Sequence, residues 1–321
     1  MKNHKPQIFM CFSGTEFSPT TLICRKHPFR FPAKSPVAIT MRPYFFTPHT
    51  MTDRYAVIGN PIAHSKSPLI HTLFAQQTGE DLHYEALFSP LDGFVETVRT
   101  FQAQGGKGMN ITVPFKFEAF DFASKLTERA RLAGAVNTLS FLPNGDVLGD
   151  NTDGAGLVRD ITVQLGFDLR NKRVLLLGAG GAAFGVVLPL LAAGAVLTVA
   201  NRTVDKAAQL AATFNTADSP FDPVVACGYA ELSAQAFDCV VNATSSGLSD
   251  QLPPIPAEVF GQNSLAYDMM YGRDTPFMTF AHQHGAQVAD GLGMLVEQAA
   301  EAFFVWRGIR PDTTTVRKAL R

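Results

Sequence analysis

Cysteine is scarce in this 321-residue chain, and charge is sparse. Cys11, Cys24, Cys227 and Cys239 form no CxxC pair and no Cys/His ligand spacing. That pattern excludes a zinc ribbon and gives no disulfide framework, so a reducing compartment such as the cytoplasm fits and no metal is expected. Charged residues make up 17% of the chain against 46% hydrophobic, which is the balance of a packed globular protein. No apolar run approaches the roughly 20 residues a membrane helix needs, so no membrane partner is expected. Fixed-period repeats and low-complexity tracts are missing from the body. Residues 51–321 hold 20 basic and 27 acidic side chains, a net of −7, which argues against nucleic acid as a partner.

Residues 1–50 differ from the rest. They carry seven Lys/Arg against one acid, Glu16, and are rich in Phe and Pro. They lack the compact apolar stretch of a secretory signal, and their basic bias resembles a transit peptide without an amphipathic helix. The reading preferred is a disordered or over-extended segment, with translation beginning at Met51.

From Arg54 onward, strand-like runs alternate with helix-like ones. Ala56–Ile58, Tyr84–Leu87 and Gly108–Val113 are separated by Leu69–Thr78 and Phe94–Gln104. This βαβ rhythm predicts a mainly parallel sheet. Glu118–Ala133 reads as one helix, Val136–Phe141 and Val147–Gly149 as a hairpin around Pro143-Asn144-Gly145, and Gly154–Leu165 as another helix. A second series starts at Arg173 and continues through strands at Asp238–Asn242, Leu265–Asp268 and Ala286–Ala289. It ends in a helix at Gly291–Arg307, where Leu295, Ala299, Ala302, Phe303 and Trp306 recur at helical spacing. The fold class expected is α/β, with two α/β domains flanking a cleft.

Between Val57-Ile58 and the first helix lies GNPIAHSKSPLIH, Gly59–His71. Pro61 forces a turn, and Ser67-Pro68 reads as a helix cap followed by proline at the first helical position. Loops at the carboxyl ends of parallel strands bind ligands, and a helix start there favours anions. Ser67 as a simple cap and Ser65 as a solvated serine is the plainer alternative.

Gly178-Ala179-Gly180-Gly181-Ala182-Ala183 is a G-x-G-x-x-A turn with a Leu-rich strand before it and a helix after it. Its glycines permit the tight turn and the approach of a diphosphate, which marks the second domain as a Rossmann-type, doubly wound dinucleotide fold. The next strand ends in Asn201-Arg202-Thr203, with Lys206 close behind, where an acid would bind the ribose of NAD. A guanidinium there suits a 2′-phosphate, so the cofactor expected is NADP.

Three further segments carry polar residues at element ends. GMNITVPFK holds Asn110, Thr112 and Lys116; AGAVNTL holds Asn137; GDNTDGAG holds Asp153. Taken singly, each has a structural account: a solvated lysine, a strand-edge amide and a helix cap.

Taken together with GNPIAHSKSP, GAGGA, NRT, NATSSG and DGLGMLVEQA, these runs make Met51–Arg321 resemble the shikimate dehydrogenase family along essentially its whole length. The resemblance implies NADPH-dependent, reversible reduction of 3-dehydroshikimate to shikimate in chorismate and aromatic amino-acid biosynthesis. It implies a substrate domain of residues 51–152, completed by 290–321, and an NADP domain of 153–289. Lys116 and Asp153 would be catalytic. Ser65, Lys66, Ser67, Thr112, Asn137, Asp153, Tyr271 and Gln298 would hold the substrate. Glu128, Gly178, Ala179, Gly180, Gly181, Ala182, Asn201, Arg202, Thr203, Val204, Asp205, Lys206, Met269 and Gly291 would hold NADP. Two departures stand out: Lys206 replaces an Arg common in the family, and Ala183-Phe184 replaces a more polar pair. A quinate/shikimate dehydrogenase with mixed NAD/NADP use and a non-catalytic shikimate- or NADP-binding regulator are the alternatives. A homodimer is allowed, since nothing in the sequence sets the oligomeric state.

Overall fold

The computed structural model describes residues 52–232 and 235–321; the expectations for residues 1–50 and for the start at Met51 lie outside them. The first half alternates as its periodicity predicts. β1 (Asp53–Gly59), α1 (Ser67–Thr78), β2 (Leu82–Phe88), α2 (Phe94–Ala103) and β3 (Gly106–Ile111) follow in order. Next come α3 (Lys116–Phe122), β4 (Lys125–Leu126), α4 (Glu128–Ala133), β5 (Thr138–Phe141), β6 (Val147–Asp150) and α5 (Asp153–Arg159). The second half holds β7 (Arg173–Leu177), α6 (Gly181–Ala192), β8 (Val196–Ala200), α7 (Val204–Phe214), β9 (Val225–Cys227) and β10 (Phe237–Asn242). It closes with β11 (Phe260–Asp268), α8 (Pro276–Gln283), β12 (Gln287–Ala289), α9 (Leu292–Arg307) and α10 (Thr313–Leu320).

Two six-stranded sheets result. The first has the order β2-β1-β3-β5-β6-β4 and is mixed, because β5 runs antiparallel to both β3 and β6. The expectation of a mainly parallel sheet therefore holds for β1, β2 and β3, and the predicted hairpin reverses the direction. The second sheet, β12-β11-β10-β7-β8-β9, is parallel throughout. Its strand order is that of the doubly wound dinucleotide fold, with the switch point between β7 and β10. Both faces of β7 are covered: Val174 and Leu176 pack into one core cluster, Leu175 and Leu177 into the other. Such two-sided burial is why RVLLL reads as a continuous apolar run rather than an alternating one.

Three local expectations are corrected. Glu118–Ala133 is two helices, not one. Ala123 turns extended, Ser124 exchanges hydrogen bonds with Val147 of β6, and Lys125–Leu126 pairs with Leu148–Gly149. Strand pairing thus wins over local helical preference. Ser67 is the first residue of α1 rather than its cap; the cap is Lys66, and the Ser65 hydroxyl accepts from the Ser67 N–H at 3.3 Å. The helix beginning near Gly154 loosens into a π-helical turn at Asp160–Gln164.

Helices α5 and α9 lie directly against each other. A Cβ on Gly156 would stand 2.7 Å from the Gln298 backbone nitrogen, so only glycine permits this approach. α9 also packs against α1 and α10 through Ile70, Phe74, Val296, Phe303 and Val316, while Trp306 donates to the Leu139 carbonyl at 3.1 Å. Among the described residues no helix is long and apolar enough to cross a membrane.

Candidate active site

Four segments distant in sequence meet where β3 and β6 end and β5 begins. Lys116 opens α3, Asn137 precedes β5, Asp153 opens α5 and Gln298 lies on α9. The Lys116 ammonium donates to Asp153 Oδ2 at 2.6 Å, and Asn137 Nδ2 donates to Asp153 Oδ1 at 2.8 Å. Both carboxylate oxygens are therefore held. The Asp153 side chain is 5% exposed while Lys116 keeps 25%, so solvent or a ligand reaches the lysine first. Asn137 Nδ2 also lies 3.3 Å from Gln298 Oε1 and 3.0 Å from Thr152 Oγ1.

The Asn137 amide has one workable orientation. Its oxygen accepts from the Thr152 backbone N–H at 2.8 Å and from the Thr138 hydroxyl at 2.9 Å, which leaves the NH2 facing the carboxylate. Thr138 in turn accepts from Asn110 Nδ2 at 3.1 Å, and Asn110 Oδ1 accepts from the buried Tyr84 hydroxyl at 2.7 Å. Tyr84, Thr138 and Thr152 were not legible as site residues. The one available signal was the run of small polar residues beside Asn137 and Asp153.

Nearby, the Thr112 N–H donates to the Ile58 carbonyl at 3.0 Å and its carbonyl accepts from Phe115, which pins it between the ends of β1 and β3. Ser65 is held by its N–H on the Ile62 carbonyl at 3.0 Å. Lys66 takes another direction: its ammonium donates to the Leu320 carbonyl in α10 at 3.3 Å.

The glycine turn follows β7 at the switch point of the second sheet. Gly178 has a φ of +103°, and its N–H donates to the Ala200 carbonyl at 2.8 Å. α6 begins behind Gly180 with no side-chain cap, so the first-turn N–H groups around Gly181 and Ala182 are open to an anion. At the end of β8, Asn201 Nδ2 donates to the Thr203 carbonyl at 2.8 Å and shapes the corner before Val204 and Asp205. Arg202 and Lys206 are exposed there, and neither makes an ion pair among the described residues. Uncapped helix donors plus two unpaired cations suit a dinucleotide bearing an extra phosphate.

Family models match residues 57–139 (shikimate dehydrogenase substrate binding domain), 161–249 (shikimate/quinate 5-dehydrogenase) and 291–321 (shikimate 5′-dehydrogenase C-terminal domain). A shikimate dehydrogenase (NADP(+)) of Methylobacillus flagellatus is 59% identical over 271 residues, covering 84% of this chain and 99% of that protein. The chain belongs to the shikimate dehydrogenase family. An Ael1 enzyme from Pseudomonas putida, 52% identical, superposes with a TM-score of 0.79 over 84% of this chain and 98% of its own. A shikimate 5-dehydrogenase from Thermus thermophilus, solved with NADP(H) and shikimate, is 33% identical with a TM-score of 0.74, covering 83% of this chain and 98% of its own.

Within that family frame, Met269 and Gly291 are neighbours. The Gly291 N–H donates to the Met270 carbonyl at 2.8 Å, and a Cβ on Gly291 would collide with the Met269 carbonyl. Tyr271 lies two residues past Met269, half-buried, and burial pushes its phenol up. It shares no hydrogen bond with the Lys116–Asp153 group among the described residues. Glu128 is exposed in the first turn of α4; the opposite end of that helix, Arg131–Ala133, is what reaches the glycine turn. Beside Glu128, Arg129 forks onto Asp150 at 2.5 and 2.6 Å and reaches Glu301 on α9 at 2.9 Å. Burial raises the Asp150 carboxyl, but the Arg129 guanidinium outweighs it and holds Asp150 below the usual carboxylate range.

Proposed function

We propose that this protein catalyses the reversible, NADPH-dependent reduction of 3-dehydroshikimate to shikimate. The reading rests on the Lys116–Asp153 pair, held at 2.6 Å with Asn137 and Gln298 around it, in a chain that also carries an open diphosphate turn. In this reading residues 51–152, with 290–321, receive the substrate, and residues 153–289 receive NADP.

The bound nicotinamide supplies the hydride. Lys116 handles the proton at the reacting oxygen: in the reducing direction its ammonium donates to the developing alkoxide, and in reverse its amine takes the hydroxyl proton. Asp153 fixes the ammonium through one oxygen while Asn137 anchors the other, so the carboxylate cannot swing away when substrate enters. The uncharged donors Ser65, Ser67 and Thr112 suit the substrate carboxylate and a ring hydroxyl; Asn137, Tyr271 and Gln298 suit the remaining hydroxyls. Lys66 contributes through the loop it anchors on Leu320. Arg202 and Lys206 take the adenosine phosphate, Asn201 through Asp205 shape its seat, and Met269 and Gly291 form the wall for the nicotinamide. Glu128 is assigned to the cofactor by family resemblance. A cytoplasmic location accompanies this biosynthetic role.

The test is formation of NADPH from NADP with shikimate as reductant, run in parallel with quinate and with NAD. Turnover with shikimate and NADP supports the reading. Turnover with quinate and NAD at comparable efficiency replaces it by the quinate/shikimate reading, and no turnover with any pair leaves a binding protein.

A further inference from the structure

A cavity of about 380 Å³ lies against the glycine turn. One wall is Ala179–Gly181 with Phe184 of α6; the facing wall comes from α3 and α4, with Phe117, Arg131 and Leu132. Its volume is in the range of small-ligand sites. No acidic residue lines it. Its lining offers an anion the uncapped N–H groups at the start of α6 and one charged residue, Arg131. Arg129, two residues earlier, is consumed by Asp150 and Glu301, whereas Arg131 makes no ion pair among the described residues. Phe117 follows Lys116 directly and is 58% exposed, so its ring is open to a ligand in the cavity. The tip of its ring lies 3.1 Å from where a Cβ on Gly181 would stand.

We propose that this second wall is part of the cofactor site: Arg131 provides a countercharge to the dinucleotide diphosphate, and Phe117 covers it from solvent. The proposal rests on the NADP-dependent reading above. An anion on the N–H groups of α6 would share this cavity with Arg131, among a lining that also includes Phe117, Leu132, Phe184 and the Thr213 side of α7. Phe184 on the α6 flank is apolar, so the one charged side chain lining the cavity, Arg131, comes from α4. Since Phe117 and Lys116 are adjacent in α3, a cofactor that packs on the Phe117 ring also steadies the helix start that carries the proton-handling lysine.

The diphosphate is common to NADPH and NADH, while the 2′-phosphate is not, and this separates Arg131 from Arg202. Arg131→Ala is expected to weaken direct binding of NADPH and NADH by the same factor, about three- to tenfold, because an exposed charge-assisted bond is screened by solvent. Arg131→Lys should retain most of the affinity, and Phe117→Ala should weaken both dinucleotides alike. Shikimate binding measured without cofactor should stay unchanged in all three variants, which excludes general misfolding. Unchanged NADPH affinity in Arg131→Ala, or a loss confined to NADPH, overturns the inference while leaving the NADP-dependent reading intact. Failure of the unaltered protein to bind NADPH overturns both.

Discussion

The Lys116 ammonium and Asp153 Oδ2 stand 2.6 Å apart, although 36 residues separate them in the chain. Lys116→Met keeps roughly the same length and removes the proton carrier. Turnover is expected to fall by about 10²- to 10⁴-fold, with a smaller change in apparent shikimate affinity. Asp153→Asn should lower turnover and weaken substrate binding together, because Asp153 anchors Lys116 through one oxygen and Asn137 through the other. Steady-state kinetics on both variants at saturating NADP measures this, and near-normal turnover in Lys116→Met removes lysine from the mechanism.

Arg202 stands exposed at the corner after β8, with Lys206 one turn further on. Replacing it with Ala should weaken NADP by about tenfold to a hundredfold and leave NAD almost unchanged, the range of one charge-assisted hydrogen bond. Titration of both dinucleotides decides it: equal losses mean that Arg202 does not read the 2′-phosphate.

His71 on α1 is fully buried, stacked on Tyr84 with ring centroids 4.1 Å apart. Neither ring nitrogen has a partner in normal hydrogen-bond geometry. Burial pushes the imidazole down to about 3, with the Asn110 side chain weakly opposing the shift. The folded state therefore excludes a proton that the unfolded chain takes up below about 6.5. The stabilisation is fully present above pH 6.5 and is lost as pH falls toward 3, by up to about 1.4 kcal/mol per pH unit. His71→Phe, which fits an aromatic cluster, should show a shallower loss of stability between pH 6.5 and 4 in urea melts. Parallel curves for the two proteins would show that His71 does not set the acid sensitivity.

Arg129 joins β6 to α9 through Asp150 and Glu301, and the Asp150 side chain is only 4% exposed. Arg129→Ala removes the cation paired with that carboxylate and leaves it only the Thr127 hydroxyl and the Asn151 N–H, at a cost of about 3–5 kcal/mol. Arg129→Ala/Asp150→Ala should recover part of the loss, since no unpaired buried charge remains. Equilibrium unfolding of the single and double variants checks this, and a cost below about 1 kcal/mol in the single variant would show that water already solvates Asp150.

Local chemistry made much of this protein readable along the chain. The RVLLL-GAGGAA run could be nothing but a buried strand entering a tight turn and a helix, because each step depends on residues within about ten positions. The missing acid and the Arg at Asn201-Arg202-Thr203 named the cofactor for the same reason, since charge type is written in the residue itself. Long-range pairing was less accessible. Helix preference carried Glu118–Ala133 as a single element, yet the pairing of Lys125–Leu126 with β6, 23 residues away, divides it. Which polar residues face one another was equally hidden. Asn137 could have been any strand-edge amide until the Thr152 N–H turned its oxygen and aimed its NH2 at Asp153. Lys66 reads as part of the substrate loop, and only the fold shows α10 returning to offer it the Leu320 carbonyl. Arg129 and Arg131 are alike in sequence and two positions apart. Folding sets one between two carboxylates and the other on the wall of a cavity, because a helix turns about 100° per residue and sends them to different neighbours.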